Sequence, residues 1–449
     1  MKVAKFGGSS LADAVQIKKV CDIVLRDSDI KYVVVSAPGK REKGDTKVTD
    51  LLIALAKARL AGGTGEKEKK AVVSRFEAIA KNLSVEGVMP SIEENLSSLA
   101  DADIKNPAAF MDALKAAGED NCARLVASYL SSIGHEASYV NPKDAGLLLT
   151  SDFGKAHVLP ESYENLSKLN QKKGLVIFPG FFGYSQDGTV VTFSRGGSDI
   201  TGSILAAATG SSVYENWTDV DSVYAVNPSL VRNPQPVSEI TYDEMRELAY
   251  AGFSVLHEDA LYPAFLRGIP VHIRNTNNPS ADGTMIVCKR KSFDSIVTGI
   301  AGKGGFCSLN IHKYLMNQEI GFVYKALKII AEENISIEHM PSGIDSISII
   351  IRSEEFPPEK ERKIVERLSL ELNVDLIEVR HDLAIVVIVG AAMAKTVGTT
   401  ARAASRLSKA GINLEIINQG ASEISVMFGV REEYVDYAVK ELYKEFFVF

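Results

Sequence analysis

The sequence predicts an α/β domain, a mostly parallel sheet between helical layers, followed by two copies of a small α+β module. Three observations carry this. Short apolar runs alternate with helically spaced segments through residues 1–300. Glycine-rich turns join strand to helix at two points. The last third of the chain repeats itself at a fixed offset.

Residues 3–6 read as a short strand that Gly7-Gly8-Ser9-Ser10 breaks. Over residues 11–25, Leu11, Val15, Val20 and Val24 recur at helical spacing, and Ser9 or Ser10 can cap that helix. Residues 32–36 (YVVVS) form a β-branched run typical of a buried parallel strand. Residues 175–178, 190–193 and 212–215 repeat the theme. Strands alternating with helices place helices on both faces of one sheet. Residues 66–118 contain no strand run and read as helical elaboration, with the charges of 66–70 on a solvated face. Around residues 289–305 the chain turns basic and then glycine-rich, which marks a boundary. The expected domains are 1–300, 306–382 and 383–449.

Slid against itself by 77 residues, the C-terminal third aligns Gly321 with Gly398, Ala326 with Ala403, Ile335 with Ile412, Glu338 with Glu415 and Gly343 with Gly420. Each copy reads strand, helix, strand, turn, strand. A register that aligns every element marks two copies of one module.

Composition narrows the function. A net charge of −7 offers no basic surplus, so nucleic acid is not an expected partner. Cys21, Cys122, Cys288 and Cys307 lie far apart and form no CxxC pair, which argues against a zinc site or a disulfide framework. The histidines show no metal-ligand spacing, and His257 reads as a packing residue. No apolar run approaches the roughly 18 residues a membrane helix needs, and the opening residues are too short a run for a signal peptide. A cytoplasmic protein with no membrane partner is expected.

Three segments carry candidate chemistry. In Lys5-Phe6-Gly7-Gly8-Ser9-Ser10 a strand ends, two glycines let the backbone approach a ligand, and a helix begins. Free N–H groups and the dipole at a helix start favour phosphate, and Lys5 adds a full charge. The lysine precedes the glycines, so this is not a GxxxxGK[ST] loop; alone, it reads as well as an ordinary turn. The second segment, residues 194–199 (SRGGSD), feeds a helical run to Thr209. Arg195 can grip a carboxylate at two points, and Asp199 can hold an ammonium or a magnesium ion. The third, residues 217–228, holds Thr218, Asp219 and Tyr224 after a strand. It suits a nucleotide and equally a surface loop.

Together these segments resemble the aspartate kinases of the amino-acid kinase superfamily. KFGGSS, the VTDLL run at 48–52, Gly118-Glu119, SRGGSD, WTDVDSVY, VLHE at 255–258 and RNTNNPSADGT at 274–284 carry the resemblance. The doubled module resembles paired ferredoxin-like ACT domains, most specifically in QGASEISVMFGV at 419–430. The resemblance spans essentially the whole chain. It implies an amino-acid kinase fold and ATP-dependent phosphorylation of the aspartate β-carboxylate, the first step toward lysine, threonine and methionine. By resemblance, Lys5, Gly7, Gly8 and Ser9 would contact ATP phosphates, with Mg²⁺. Thr49, Glu119, Arg195 and Ser198 would hold aspartate. Thr218, Asp219 and Tyr224 would line the nucleotide site, with Lys5 and Asp199 at the reaction centre. An amino-acid effector, lysine before threonine, would bind the first ACT module at Met316, Gln318, Gly321 and Glu338. The resemblance also implies a homodimer or dimer of dimers.

Two departures from the family bear on ATP. Asn227-Pro228-Ser229 stands where relatives often have Asp-Pro-Arg, and Ser254 where they have a lysine, with Glu258 in place of a proline. Both remove positive charge, which predicts weak ATP binding that depends on Mg²⁺ and on Arg232. The acceptor carboxylate, with a pKa of about 3.9, is already an ionised nucleophile. Asp199 is therefore expected to organise the site and not to abstract a proton. The competing readings are another amino-acid kinase, acting on glutamate or acetylglutamate, and a catalytically weak amino-acid sensor.

Overall fold

A computed structural model describes residues 1–253, 258–293 and 295–448. The chain forms two compact units. The first comprises Met1–Val223, Pro236–Met245 and Ser254–Arg290; the second comprises Tyr224–Gln235, Arg246–Phe253 and Lys291–Phe449. The longest segment of the second unit begins at Lys291. The second unit also takes two short segments from earlier in the chain, which no composition shift announces.

The first unit opens with β1 (Lys2–Phe6), α1 (Ala14–Arg26), β2 (Ile30–Val35), α2 (Val48–Leu60), α3 (Glu66–Leu83), α4 (Met89–Ala100) and α5 (Pro107–Ser132). Next come β3 (Ala137–Tyr139), α6 (Pro142–Ala145), α7 (Glu161–Ser167), β4 (Leu175–Pro179), β5 (Phe182–Tyr184), β6 (Val190–Thr192), α8 (Gly197–Thr209) and β7 (Val213–Thr218). After β8 (Val223–Tyr224), β9 (Pro236–Val237) and β10 (Glu239–Thr241), α9 (Tyr242–Tyr250) leads toward α10 (Tyr262–Leu266), β11 (Val271–Asn275) and β12 (Thr284–Val287). Eight strands form one sheet in the order β10-β12-β11-β7-β1-β2-β4-β3. Every neighbouring pair is parallel except β11 with β12.

Side-chain alternation sorts the two faces of this sheet. Ala4, Phe6, Val33, Val35, Ile177 and Trp217 pack on one face with buried residues of α1, α3, α4 and α5 in a single core. Lys5 and Asn216, paired in register, point to the other face, where α8 lies. Two local expectations differ. Ser9 and Ser10 do not cap α1: they belong to a short 3-10 turn, Gly8–Leu11, and the Asp13 side chain accepts from the Gln16 N–H to cap the helix. Residues 190–192 form a strand, but in an antiparallel hairpin with β5 outside the main sheet.

The second unit holds β13 (Gly299–His312), α11 (Phe322–Glu332), β14 (Ser346–Arg352), α12 (Pro358–Leu372), β15 (Leu376–Val389), α13 (Thr399–Lys409), β16 (Ile416–Gln419), β17 (Ser425–Arg431) and α14 (Val435–Phe447). Its five-stranded sheet has the order β14-β13-β15-β17-β16. Both long strands are shared between the repeats. Residues 306–312 of β13 pair with β14 and with the first half of β15, whereas Gly299 to Lys303 pair with Val389 to Ile385. The second copy thus takes one strand from in front of the first. Gly321 and Gly398 precede α11 and α13 at φ of 76° and 87°, left-handed values that favour glycine and explain their alignment in the repeat.

Candidate active site

The site residues of the first unit gather where the parallel strands end. Lys5 is the fourth residue of β1 and only 7% exposed. Its Nζ stands 2.5 Å from an Asp199 carboxylate oxygen. Asn216 of β7 donates to the same oxygen at 2.7 Å, and the Tyr214 hydroxyl donates to the Asp199 backbone carbonyl at 3.1 Å. Asp199 sits in the first turn of α8, so three elements fix one lysine–carboxylate pair.

Gly7 and Gly8 continue directly from β1. The Gly7 N–H donates to the Trp217 carbonyl at 3.1 Å, and a Cβ on Gly8 would stand 2.9 Å from the Ala37 carbonyl oxygen. The glycines lead into a four-residue 3-10 turn, not into the start of a long helix. The dipole expected here is therefore weaker than the sequence suggested, and charge at this point rests on Lys5. Ser9 lies exposed in that turn, and the Ser10 hydroxyl meets that of Thr276 at 2.8 Å.

The prospective aspartate contacts converge on the same strand ends. Glu119 lies on α5, 5% exposed. Burial pushes its carboxyl up to about 8, against the pull of the Ala37 and Glu119 backbone N–H groups and of the Lys5 charge. One of its oxygens has no hydrogen-bond partner among the described residues. Gly118 brings α5 against α2: a Cβ there would meet Ala37 at 2.8 Å and Leu52 at 3.2 Å. Half-buried Thr49 is the second residue of α2. Ser198 is buried at the start of α8, where a Cβ on Gly180 would stand 2.7 Å from its side chain, and the Gly180 N–H donates to the Val35 carbonyl at the end of β2. Arg195 is exposed just before α8 and has no ion-pair partner among the described residues. Ligands of open α/β sheets bind at these carboxyl ends of the strands.

Thr218 ends β7 next to β1, its hydroxyl 3.2 Å from Asp219. Asp221 accepts from Asn275 at 2.8 Å and Asn278 at 3.1 Å, which ties the 217–222 loop to the 274–279 segment. Tyr224 falls in the second unit. Ser254 and His257, and with them most of the VLHE motif, lie outside the described residues. Asn216 was missed from sequence: its strand, VYENWT, also carries Glu215 and Thr218, so nothing in residue type singled it out.

In the second unit, Met316 is buried and Gln318 exposed in the turn before α11, which Gly321 closes. Glu338 is engaged: Arg352 Nε stands 2.5 Å from one oxygen and the Tyr250 hydroxyl donates to the other. An effector ammonium would have to share or displace these partners.

Residues 1–275 match the amino acid kinase family, and residues 386–446 match an ACT domain, so the class is an amino acid kinase with a C-terminal ACT region. Aspartokinase 3 of Bacillus subtilis is 55% identical over 448 residues, covering 100% of this chain and 99% of that protein. The crystal structure of Clostridium acetobutylicum aspartate kinase superposes with a TM-score of 0.86 at 37% identity, covering 99% of this chain and 100% of the other. E. coli aspartokinase III matches in its complex with aspartate and ADP (TM-score 0.79, 27% identity, 99% of each chain). It also matches in its complex with lysine and aspartate (TM-score 0.75, 28% identity, 100% of this chain and 99% of the other). The chain belongs to the aspartokinases.

Proposed function

We propose that this protein transfers the γ-phosphoryl group of ATP to the β-carboxylate of aspartate and is inhibited by lysine through its ACT region. The observation that carries the reaction is the Lys5–Asp199 pair beside buried Glu119 and Ser198 at the ends of β1, β2 and β4. The nucleophile is already ionised, so the barrier is electrostatic: a carboxylate must approach a polyanion. Lys5 supplies a fixed cation for the transferred phosphoryl group, and Asp199, itself oriented by Asn216, holds that cation in place. Glu119 offers its unpartnered oxygen to the substrate ammonium, while Arg195 and Thr49 hold the carboxylate end. Gly7, Gly8 and Ser9 cradle the phosphates, and Thr218 and Asp219 line the nucleotide site.

Mg²⁺ enters with the nucleotide. Such an ion is bound mainly through phosphate oxygens. Lysine would bind at Met316, Gln318, Gly321 and Glu338. The working state is a cytoplasmic homodimer or dimer of dimers.

A coupled assay of ADP release with aspartate, glutamate and acetylglutamate, with and without lysine, tests the reading. Turnover confined to aspartate and reduced by lysine is expected. Equal turnover of glutamate, or none of aspartate, would overturn it.

A further inference from the structure

Arg75 lies on α3, in the helical region away from every segment that carries the family resemblance. Its helix buries Val72, Phe76, Ile79, Ala80 and Leu83 beside it, an ordinary apolar face. A guanidinium in that face, 5% exposed, is costly to desolvate, and although its Nε has no partner among the described residues, both terminal nitrogens are bonded. Its Nη1 stands 2.7 Å from an Asp45 carboxylate oxygen. Its Nη2 donates to the Gly39 carbonyl at 2.6 Å and the Ala12 carbonyl at 3.1 Å. One planar group thus ties the 36–47 loop to the turn after β1.

That loop frames the substrate side of the site. The Gly39 N–H donates to the Gly8 carbonyl at 2.8 Å, and a Cβ on Gly39 would stand 2.5 Å from the Gly8 carbonyl carbon, so the two backbones touch. The Pro38 carbonyl accepts from the Val48 N–H at 3.0 Å and so starts α2 one residue before Thr49. Ala37 packs next to Glu119: a Cβ on Gly118 would stand 2.8 Å from the Ala37 side chain. Arg41 grips Asp45 from the solvent side, with bonds of 2.8 and 2.9 Å, but no bond joins it to the loop backbone other than its own N–H to Asp45.

We infer that Arg75, with Asp45, is a positioning residue for aspartate: it fixes the 36–47 loop so that Thr49, and Ala37 packed against Gly118 beside Glu119, are held for the substrate. This role rests on the reading of Thr49 and Glu119 as aspartate contacts. It acts mainly on the aspartate end, because two of its three partners, Asp45 and the Gly39 carbonyl, lie on the loop leading to Thr49, whereas the Ala12 carbonyl lies just past the Gly8–Leu11 turn.

The test is steady-state kinetics of the full chain with the two substrates varied separately, beside thermal melts. Arg75→Lys keeps the charge but loses the fork. It should raise the KM for aspartate about tenfold or more, within the range that small misplacements produce, and shift the KM for ATP less than about twofold. Asp45→Asn leaves the two carbonyl bonds of Arg75 in place and should give a smaller rise of the same selectivity; it carries the test if Arg75→Lys does not fold. Arg41→Ala should leave both constants near wild type. Wild-type KM for aspartate in folded Arg75→Lys and Asp45→Asn, or equal losses for both substrates, would show that Arg75 only stabilises the fold. A wild type without aspartate turnover would overturn the function, and this role with it.

Discussion

Glu119 sets the pH behaviour of the site. Burial lifts its carboxyl from an ordinary 4.5 to about 8, against the pull of two backbone N–H groups and Lys5. A substrate ammonium at its unpartnered oxygen would favour the ionised form. Aspartate binding near neutral pH should therefore release a proton, and affinity should rise as pH climbs toward about 8. Calorimetry in buffers of different ionisation enthalpy measures this, and a binding heat independent of buffer would count against Glu119 as the ammonium contact. Stability moves the other way. The folded state holds the Glu119 proton more tightly than the unfolded chain, so this contribution is complete below about 4.5 and is lost as pH rises through about 8. Without ligand, Glu119→Gln should gain in melting temperature relative to wild type across that window. Lys5 has a simpler expectation. Lys5→Ala removes the fixed cation and leaves Asp199 without its salt bridge, and kcat should fall at least about 10²-fold; near-normal turnover would remove Lys5 from the reaction centre.

Among the elements, those buried on both faces were the most legible. β4 and residues 32–35 of β2 are continuous apolar runs because a parallel strand between helical layers meets little water. The repeat was legible for a related reason: α11 and α13, residues 322–332 and 399–409, fall in the register that Gly321 and Gly398 set. The start of α1 was not, since Asp13, Ser9 and Ser10 are all good caps and only the backbone path through the 3-10 turn selects Asp13. Long-range partners left no pattern at all: Arg75 reaches Asp45 across 30 residues, and Asn216 reaches Asp199 from a different element. α9 shows the same limit. It begins among first-unit residues and ends among second-unit ones, where the Tyr250 hydroxyl bonds to Glu338. If Glu338 holds the effector ammonium, Tyr250 competes for its lone pairs. Tyr250→Phe should then let lysine inhibit at about fivefold lower concentration, the equivalent of about 1 kcal/mol for one hydrogen bond. Unchanged or weaker inhibition would show that Glu338 does not receive the ligand.

At the scale of the whole molecule, the two repeats are not beads on a string. Leu383 to Val389 lie between β17 on one side and Gly299 to Lys303 on the other, so the second module is completed by a strand that precedes the first. Packing reinforces the pairing: a Cβ on Gly302 would stand 2.7 Å from Val439, 2.9 Å from Val435 and 3.6 Å from Val386, leaving no slack between that strand and α14. We therefore place residues 299–303 with the module that runs from 383 to 449, and the first module at 306–382. A fragment that starts at Phe306 would keep both repeats by sequence and still expose the edge of Leu383 to Val389, a buried apolar strand. Unpaired apolar edges pair with other chains. The fragment 306–449 should accordingly aggregate or lose cooperative unfolding, whereas 296–449 should stay soluble and melt in one transition. Lysine should stabilise the longer fragment by about 2.7 kcal/mol at a hundred times its dissociation constant, seen as a higher melting temperature. Equal solubility and equal cooperativity of the two fragments would show that Gly299 to Lys303 are dispensable, and that each repeat closes its own sheet.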